Sequence, residues 1–357
     1  MTVLGAAGAL ALTPASAPAL AAGAGQVVTI GAAGDHGGAA GRSTVGIARS
    51  ASGAGYWLAA GDGGVFAFGD APFRGSAAGR PLADPVVDVT ATPSGQGYWL
   101  AAADGGVFAF GDAPFAGSVG GVRLSAPVVG IAATASGDGY WLAAADGGVF
   151  AFGDAAFHGS VGGSPVNAPV TAIAATPSGQ GYWLLAGDGG LFSFGDAPFA
   201  GSPAEGPGGA FVDLAAAPDG DGYWVASPGG GVSAVGSAPP HAAPSTPPPA
   251  PVSGIESTPS GDGLWLATGG RLLGEFGVTC YALRGTTASG APVAPDVVAV
   301  DPRTVPMGSE IFVSGVGMRR ALDTGGDIRG HRLDIWSPSA DHCRRFGVQR
   351  LAAYAVD

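Results

Sequence analysis

A tryptophan recurs along this chain at Trp57, Trp99, Trp141, Trp183, Trp224 and Trp265, at intervals of 42, 42, 42, 41 and 41 residues. Such a period marks stacked supersecondary units rather than one irregular core. The best copies run from Gly97-Tyr98-Trp99-Leu100 through Asp104-Gly105-Gly106 to Val107-Phe108-Ala109-Phe110-Gly111-Asp112-Ala113-Pro114-Phe115. Each copy carries its own punctuation. In the third, the apolar run Pro127–Ala132 is followed by a Ser-Gly turn, then Gly139–Ala143, an Asp146-Gly147-Gly148 turn and the alternating Val149–Phe152. Asp-Gly between two alternating segments signals a hairpin. Three to four strands per repeat, with no helical period, predict a β-propeller blade. A β-solenoid, which uses shorter coils, ranks second. Six markers predict six blades, with Val27–Ile30 supplying a closing strand to the last. The fifth copy lacks the Asp-Gly-Gly turn and most of the aromatics. The Pro-rich stretch Ala238–Pro251 leaves the spacing at 41, so it reads as a surface loop inside the array.

Gly and Pro exceed a quarter of the 357 residues, a level that elsewhere signals low complexity. Here hydrophobic content is 46% and the glycines keep fixed places beside aromatics, which favours short strands and tight turns. The repeated aspartates fit that turn chemistry. One carboxylate per turn is too few for calcium, and no metal ligand set is expected. The Tyr-Trp and Phe-x-Phe residues are expected to form blade core rather than sugar-stacking platforms. Net charge is −12, unevenly spread: residues 278–357 hold nine Arg against eight acids, the rest six Arg against nineteen. No basic stripe is available for nucleic acid. Residues 1–24 read as the remainder of a secretory signal, with small-residue cleavage sites at Ala19–Ala21 or Ala22–Ala24. No apolar run is long enough to span a membrane. These features predict a secreted or wall-associated protein, expected to be monomeric. In that compartment the two cysteines, Cys280 and Cys343, are most simply a disulfide. Two buried thiols, or a nucleophilic Cys343 beside His342, are the alternatives.

From Gly277 the pattern changes, dividing a propeller-like region at 25–276 from a C-terminal domain at 277–357. Short strands are expected at Val278–Leu283, Val297–Val300, Glu310–Val313, Arg319–Leu322, Leu333–Ile335 and Arg350–Val356. A single helix is expected at Ala340–Phe346, started by Ser339 or Pro338 and ended by Gly347. Six strands in so few residues suggest a small closed barrel. Three aspartates, Asp301, Asp323 and Asp334, stand in or beside these runs, 22 and 11 residues apart. Clustered carboxylates suit glycosidic-bond chemistry, because like-charge repulsion raises the pKa of one and makes it an acid at neutral pH. Taken singly, each is an ordinary turn or surface residue.

The motifs Thr287-Ala288-Ser289-Gly290, Val298–Pro302, Val305-Pro306-Met307-Gly308 and Asp323-Thr324-Gly325-Gly326-Asp327-Ile328-Arg329-Gly330-His331-Arg332-Leu333-Asp334 closely resemble the 3D (Asp-Asp-Asp) domain over about eighty residues. That resemblance implies a double-psi β-barrel similar to the catalytic barrel of lytic transglycosylase A and to stationary-phase-survival proteins. It implies peptidoglycan glycan strands as partner, no cofactor, and cleavage of the MurNAc–GlcNAc β-1,4 bond. It assigns Asp334 as single acid/base forming a 1,6-anhydro product, with Asp323 and Asp301 in support. Thr287, Ser289 and Thr324 are expected hydroxyl partners. Gly325 and Gly326 would admit a sugar close to the backbone, with Arg329 and His331 at the rim. His331, Arg329 and Asp327 depart from the family's usual Asn, Lys and small residue. A hydrolase using two aspartates, and a non-catalytic wall-binding or wall-loosening protein, are the competing readings. The repeat likewise resembles Gly-Tyr-Trp-Leu arrays found beside cell-wall domains in secreted bacterial proteins.

Overall fold

The computed structural model describes residues 24–203, 210–244 and 246–356; the expected secretory signal, but for Ala24, lies outside them. The described chain is built almost wholly of strands. Six three-stranded antiparallel sheets follow the repeat. The second, for example, is Val86–Ala91, Gly97–Ala102 and Val107–Gly111. The first strand of each sheet packs against the first strand of the next, and the sixth returns to the first, so the sheets close as a six-bladed propeller. The sixth blade draws its strands from both ends of the repeat region. Val252–Ser257 and Gly263–Thr268 come from its C-terminal end, and Val27–Gly31 pairs with the latter from its N-terminal end. The closing strand expected from the sequence is therefore present. It ties the ends of the ring together by backbone hydrogen bonds.

The marker residues hold the blades to one another. All six marker tryptophans are fully buried. The indole N–H of Trp57, Trp99, Trp141 and Trp183 each donates to a carbonyl fifteen residues on, in the segment leaving its own blade. The same ring lies 5.4–5.6 Å from the tyrosine of the following blade, at Tyr98, Tyr140, Tyr182 and Tyr223. Tilted aromatic pairs of this kind contribute about 1 kcal/mol each beyond their buried area. At the closure Trp265 meets Tyr56 in the same way. The Asp-Gly-Gly turns are closed by their aspartates, as at Asp104, whose Oδ1 accepts from Gly106 N at 2.9 Å. The Pro-rich stretch stays with the ring: Pro239 O accepts from Trp224 Nε1.

The C-terminal strands form a closed barrel. In chain order they are Arg271–Tyr281, Val297–Ala299, Glu310–Val313, Gly317–Asp323, Arg332–Trp336 and Gln349–Ala355. Around the barrel the order is first, fifth, second, fourth, third, sixth. The first–fifth and second–fourth pairs are parallel. The first strand begins earlier than the sequence pattern suggests because it has two partners. Its leading half pairs with the sixth strand from Arg271, and its trailing half also pairs with the fifth. Phe276, Val278, Val298, Val300, Ile311, Leu333 and Ile335 fill the interior. The helix is Ala340–Phe346, capped by the Ser339 hydroxyl and ended by Gly347. Cys280 and Cys343 form a disulfide between the first strand and this helix. The barrel also rests on the propeller. Phe312, Ala352 and Tyr354 pack with Ala24 and Ala250, and Ser314 Oγ donates to Pro249 O at 2.7 Å.

Candidate functional site

Strand pairing decides which of the acidic residues meet. Ala299, at the end of the second barrel strand, lies opposite Asp323 on one side and Asp334 on the other. Two carboxylates from strands that are not paired with each other are thereby brought to either side of one short strand. The first strand faces them from the fifth, where Thr279 pairs with Asp334 and Tyr281 with Trp336. Along that strand Val278 and Cys280 point to the barrel core, so Thr279 and Tyr281 share the opposite face.

The contacts follow from this placement. Thr279 Oγ1 donates to Asp334 Oδ1 at 2.7 Å, and Tyr281 OH donates to Asp323 Oδ2 at 3.0 Å. Asp323 Oδ1 accepts the backbone N–H of Ala288 and of Thr324, both at 2.9 Å. Asp334 is half-buried, and burial pushes its carboxyl above the ordinary aspartate range. The Thr279 hydrogen bond and Arg332 oppose that shift, and the Asp323 charge reinforces it. Tyr281 is pushed well above a free tyrosine by burial and by its bond to Asp323, so it remains a hydrogen-bond donor across the physiological range.

Asp301 is placed differently. It is buried, and Arg303 donates to both its oxygens, Nε to Oδ1 at 3.0 Å and an N–H₂ to Oδ2 at 2.7 Å. The backbone N–H groups of Arg303 and Gly330 complete its shell. The Arg303 guanidinium and these N–H donors hold its carboxyl well below the usual carboxylate range. Asp301 thus stays ionised and pins the loop that ends at Gly330.

The other expected residues fall into two groups. Thr287, Ser289 and Thr324 border Asp323. The Thr287 and Ser289 hydroxyls are 2.9 Å apart, Ser289 N donates to Leu322 O, and Thr324 is exposed beside the carboxylate. Gly326 faces open space, whereas a Cβ on Gly325 would lie 2.8 Å from Ile328. Gly325 is therefore required by packing inside the loop. Arg329 donates to the loop's own Gly326 carbonyl, and the His331 ring meets Phe276 edge to face with centroids 4.9 Å apart. Neither contacts the two clustered carboxylates.

Sequence reasoning missed Tyr281, Thr279 and Arg303. The first two had a legible signal, since Thr-x-Tyr flanks an inward cysteine in a strand and period two puts both on the outer face. Arg303 had none beyond its nearness to Asp301. Among the described residues no group of three His, Cys, Asp or Glu side chains is arranged to hold a metal ion, and no helix is long and apolar enough to cross a membrane.

Comparison with known proteins gives three likenesses. The chain is 36% identical over 79 residues to the cell wall-binding protein YocH of Bacillus subtilis (strain 168), covering 21% of this chain and 28% of that protein. It is 36% identical over 73 residues to YabE of the same organism, whose name concerns cell wall shaping, covering 19% and 18%. The chain therefore spans under a third of either relative. Among solved structures, the Myceliophteria_thermophila Cps50 (Swd1) beta-propeller domain is similar at TM-score 0.42 and 14% identity, over 63% of this chain and 83% of that one. The family model of the 3D domain matches residues 296–356, so the C-terminal barrel, with both clustered aspartates, carries a 3D domain.

Proposed function

We propose that this protein acts on the glycan of the bacterial cell wall outside the cytoplasm, and that its barrel is a lytic transglycosylase with Asp334 as the single acid/base. The observation that carries the reading is the state of Asp334. It is a half-buried carboxyl, raised by burial and by the neighbouring Asp323, and oriented by Thr279. Such a group keeps its proton to higher pH than a free aspartate and suits protonation of a glycosidic oxygen.

The reaction would then run in two proton transfers. Asp334 in its acid form gives its proton to the bridging oxygen as the C1–O bond breaks. Asp323, held by Tyr281 and two backbone N–H groups, stabilises the positive charge that develops on the sugar. The Asp334 carboxylate then takes the proton of the sugar's own C6 hydroxyl as that oxygen bonds to C1 and closes the 1,6-anhydro ring. No water is consumed. Thr287, Ser289 and Thr324 line the approach beside Asp323, and Asp301 acts at a distance by holding the 325–330 loop in place.

Digestion of purified sacculi tests this. Wild-type protein is expected to release 1,6-anhydro muropeptides, and Asp334→Asn to reduce release at least about a hundredfold, the lower range for losing a general acid. Reducing-end products without the anhydro form would identify a hydrolase that uses both carboxylates. The names of the similar Bacillus proteins favour a second reading, in which the barrel binds or remodels wall glycan without cutting it. Equal retention of wild type and Asp334→Asn on sacculi, with no fragments from either, would establish that reading instead.

A further inference from the structure

Most apolar residues of the propeller are buried, but four phenylalanines at one repeat position are not. Phe73, Phe115, Phe157 and Phe199 are 59%, 62%, 61% and 63% exposed. Each follows the residue whose carbonyl accepts the indole N–H of its own blade's tryptophan, namely Pro72, Pro114, Ala156 and Pro198. Two residues beyond each phenylalanine, a glycine carbonyl accepts the hydroxyl of the next blade's tyrosine. For Gly75, Gly117 and Gly159 the distance is 2.6 Å, and Gly201 has the same partner type in Tyr223. These glycines cross so close to the next blade that a Cβ on Gly75 would lie 2.8 Å from the Phe110 ring. The segment is thus clamped on both sides, to the blade behind by Trp and to the blade ahead by Tyr. The ring between the clamps is held out in the same way four times, over blades one to four. Blade five has Pro240 at this place, and the closing segment has Asp35 after Gly34, which accepts from Trp265.

A single exposed ring is ordinary, but the same ring held out rigidly at one repeat position in four successive blades is a regular array that a repeating partner can use. The form of the array limits what that partner is. Each of the four rings belongs to a different blade, and among the described residues the aromatic pairs formed within and between those blades include none of them, so they form an arc of separate stations. A protein partner or a lipid surface needs contiguous apolar area. The part of the chain that carries the arc has nineteen acids against six arginines, which repels anionic membranes and anionic polymers. A polymer of pyranose rings fits both limits. In a β-1,4-linked hexosamine the ring's substituents are equatorial, so each sugar presents a face of axial C–H groups to an aromatic ring and its hydroxyls and amides to water. Apolar faces then recur along the strand, one for each of several separated rings to meet.

We infer that Phe73, Phe115, Phe157 and Phe199 form a stacking track on the propeller for a β-1,4-linked N-acetylhexosamine strand. This rests on the wall-glycan reading of the barrel for its choice of sugar. Propeller and barrel on one chain would then hold one polymer at two places, so the second contact forms at high effective concentration.

The test uses the full chain, purified sacculi stripped of anionic polymers, and chitin, a β-1,4 N-acetylglucosamine polymer without peptides. Wild type is expected to be depleted from solution by both. The F73A/F115A/F157A/F199A variant should weaken binding to chitin about tenfold or more, as for loss of several stacking contacts acting together. F115A alone should weaken it about twofold to threefold, which preserves the test if the fourfold variant does not fold. Unaltered chitin and sacculus binding by a folded fourfold variant overturns the inference. So does a wild-type dimer that the substitutions convert to a monomer, because the arc would then be a contact between copies. Asp334→Asn separates this from the barrel reading: it should abolish fragment release, while the loss of chitin binding on substituting the four phenylalanines persists in its background. A chain that releases no fragments yet loses chitin binding with the phenylalanines keeps the track and sinks only the enzymatic reading.

Discussion

Asp301 and Asp334 are the same side chain in the same barrel, and their surroundings drive them in opposite directions. A bidentate arginine and two backbone N–H donors keep Asp301 ionised, whereas burial and a like charge keep Asp334 protonated to higher pH. The motif spacing treats the three aspartates as equals, and the contacts set them apart: Asp334 beside Thr279, Asp323 held by Tyr281 and two backbone N–H groups, and Asp301 as a loop anchor. Asp323 raises Asp334, so neutralising it lowers the Asp334 pKa. In Asp323→Asn the alkaline limb of the pH–rate profile on sacculi should move to lower pH, because less of the acid form survives at a given pH. A profile that keeps its alkaline limb while only its height falls would show that Asp323 does not set the Asp334 proton affinity.

At the scale of elements, the barrel's helix illustrates how little local packing holds it. Ala340–Phe346 is seven residues long and has no buried residue, although Phe346 is partly buried against the barrel core. Isolated helices of this length do not persist in water. Its anchor is the disulfide to the first strand, which closes a loop of 63 residues. In the chain-entropy model such a loop stabilises the fold by about 4 kcal/mol. Cys343→Ser, or reduction, should therefore lower the unfolding temperature of the barrel by many degrees and leave the propeller transition in place. Calorimetry of the full chain with and without reductant checks this; a single unchanged transition would mean that the helix and strand hold without the bond. The helix and its caps were legible in the sequence because Ser339 and Gly347 are local signals. The first barrel strand was legible only in part, because its leading residues are held by the sixth strand, Gln349–Ala355, at the far end of the domain.

At the scale of the whole molecule, ring closure produces a feature that no single repeat contains. The axial channel, about 530 Å³, is lined by the first strands of the blades and includes Asp88, Asp213, Glu256 and Arg49. Asp88 and Asp213 occupy the same position in blades two and five, three blades apart in a ring of six. Each carboxylate accepts a backbone N–H from the following blade, Ile131 at 3.0 Å and Ile255 at 2.8 Å. Glu256 lies 3.4 Å from Arg49. Enclosure by the blades pushes Asp88 up to about 7 and Asp213 well above the ordinary range; the Asp88 charge adds to the shift of Asp213, and the Glu256 charge adds to both. Glu256 is raised by burial and partly relieved by Arg49. A carboxyl whose folded pKa is raised contributes stability that is full below its unfolded value near 4 and is lost as pH rises through the folded value. The propeller should accordingly melt at higher temperature at pH 5 than at pH 8, with most of the change between about pH 4 and 7. Asp88→Asn with Asp213→Asn should flatten that dependence. A wild-type melting temperature that is level over this range would refute the assignment.

The sequence by itself determined the six repeats, the hairpin strands within them, the strand that closes the ring, most of the barrel strands and the barrel's helix. Each of these is written in local chemistry: a period, a turn dipeptide, a cap. It also named the three aspartates and, by resemblance, ranked Asp334 ahead of Asp323 and Asp301, but not the contacts of any of them. Only the tertiary structure decided that Asp323 and Asp334 meet across Ala299 with Thr279 and Tyr281, that Asp301 turns to Arg303, and that two blade aspartates face one axis. Those outcomes depend on the register of strands far apart in the chain and on closure of the ring, and no residue's neighbours in sequence encode either.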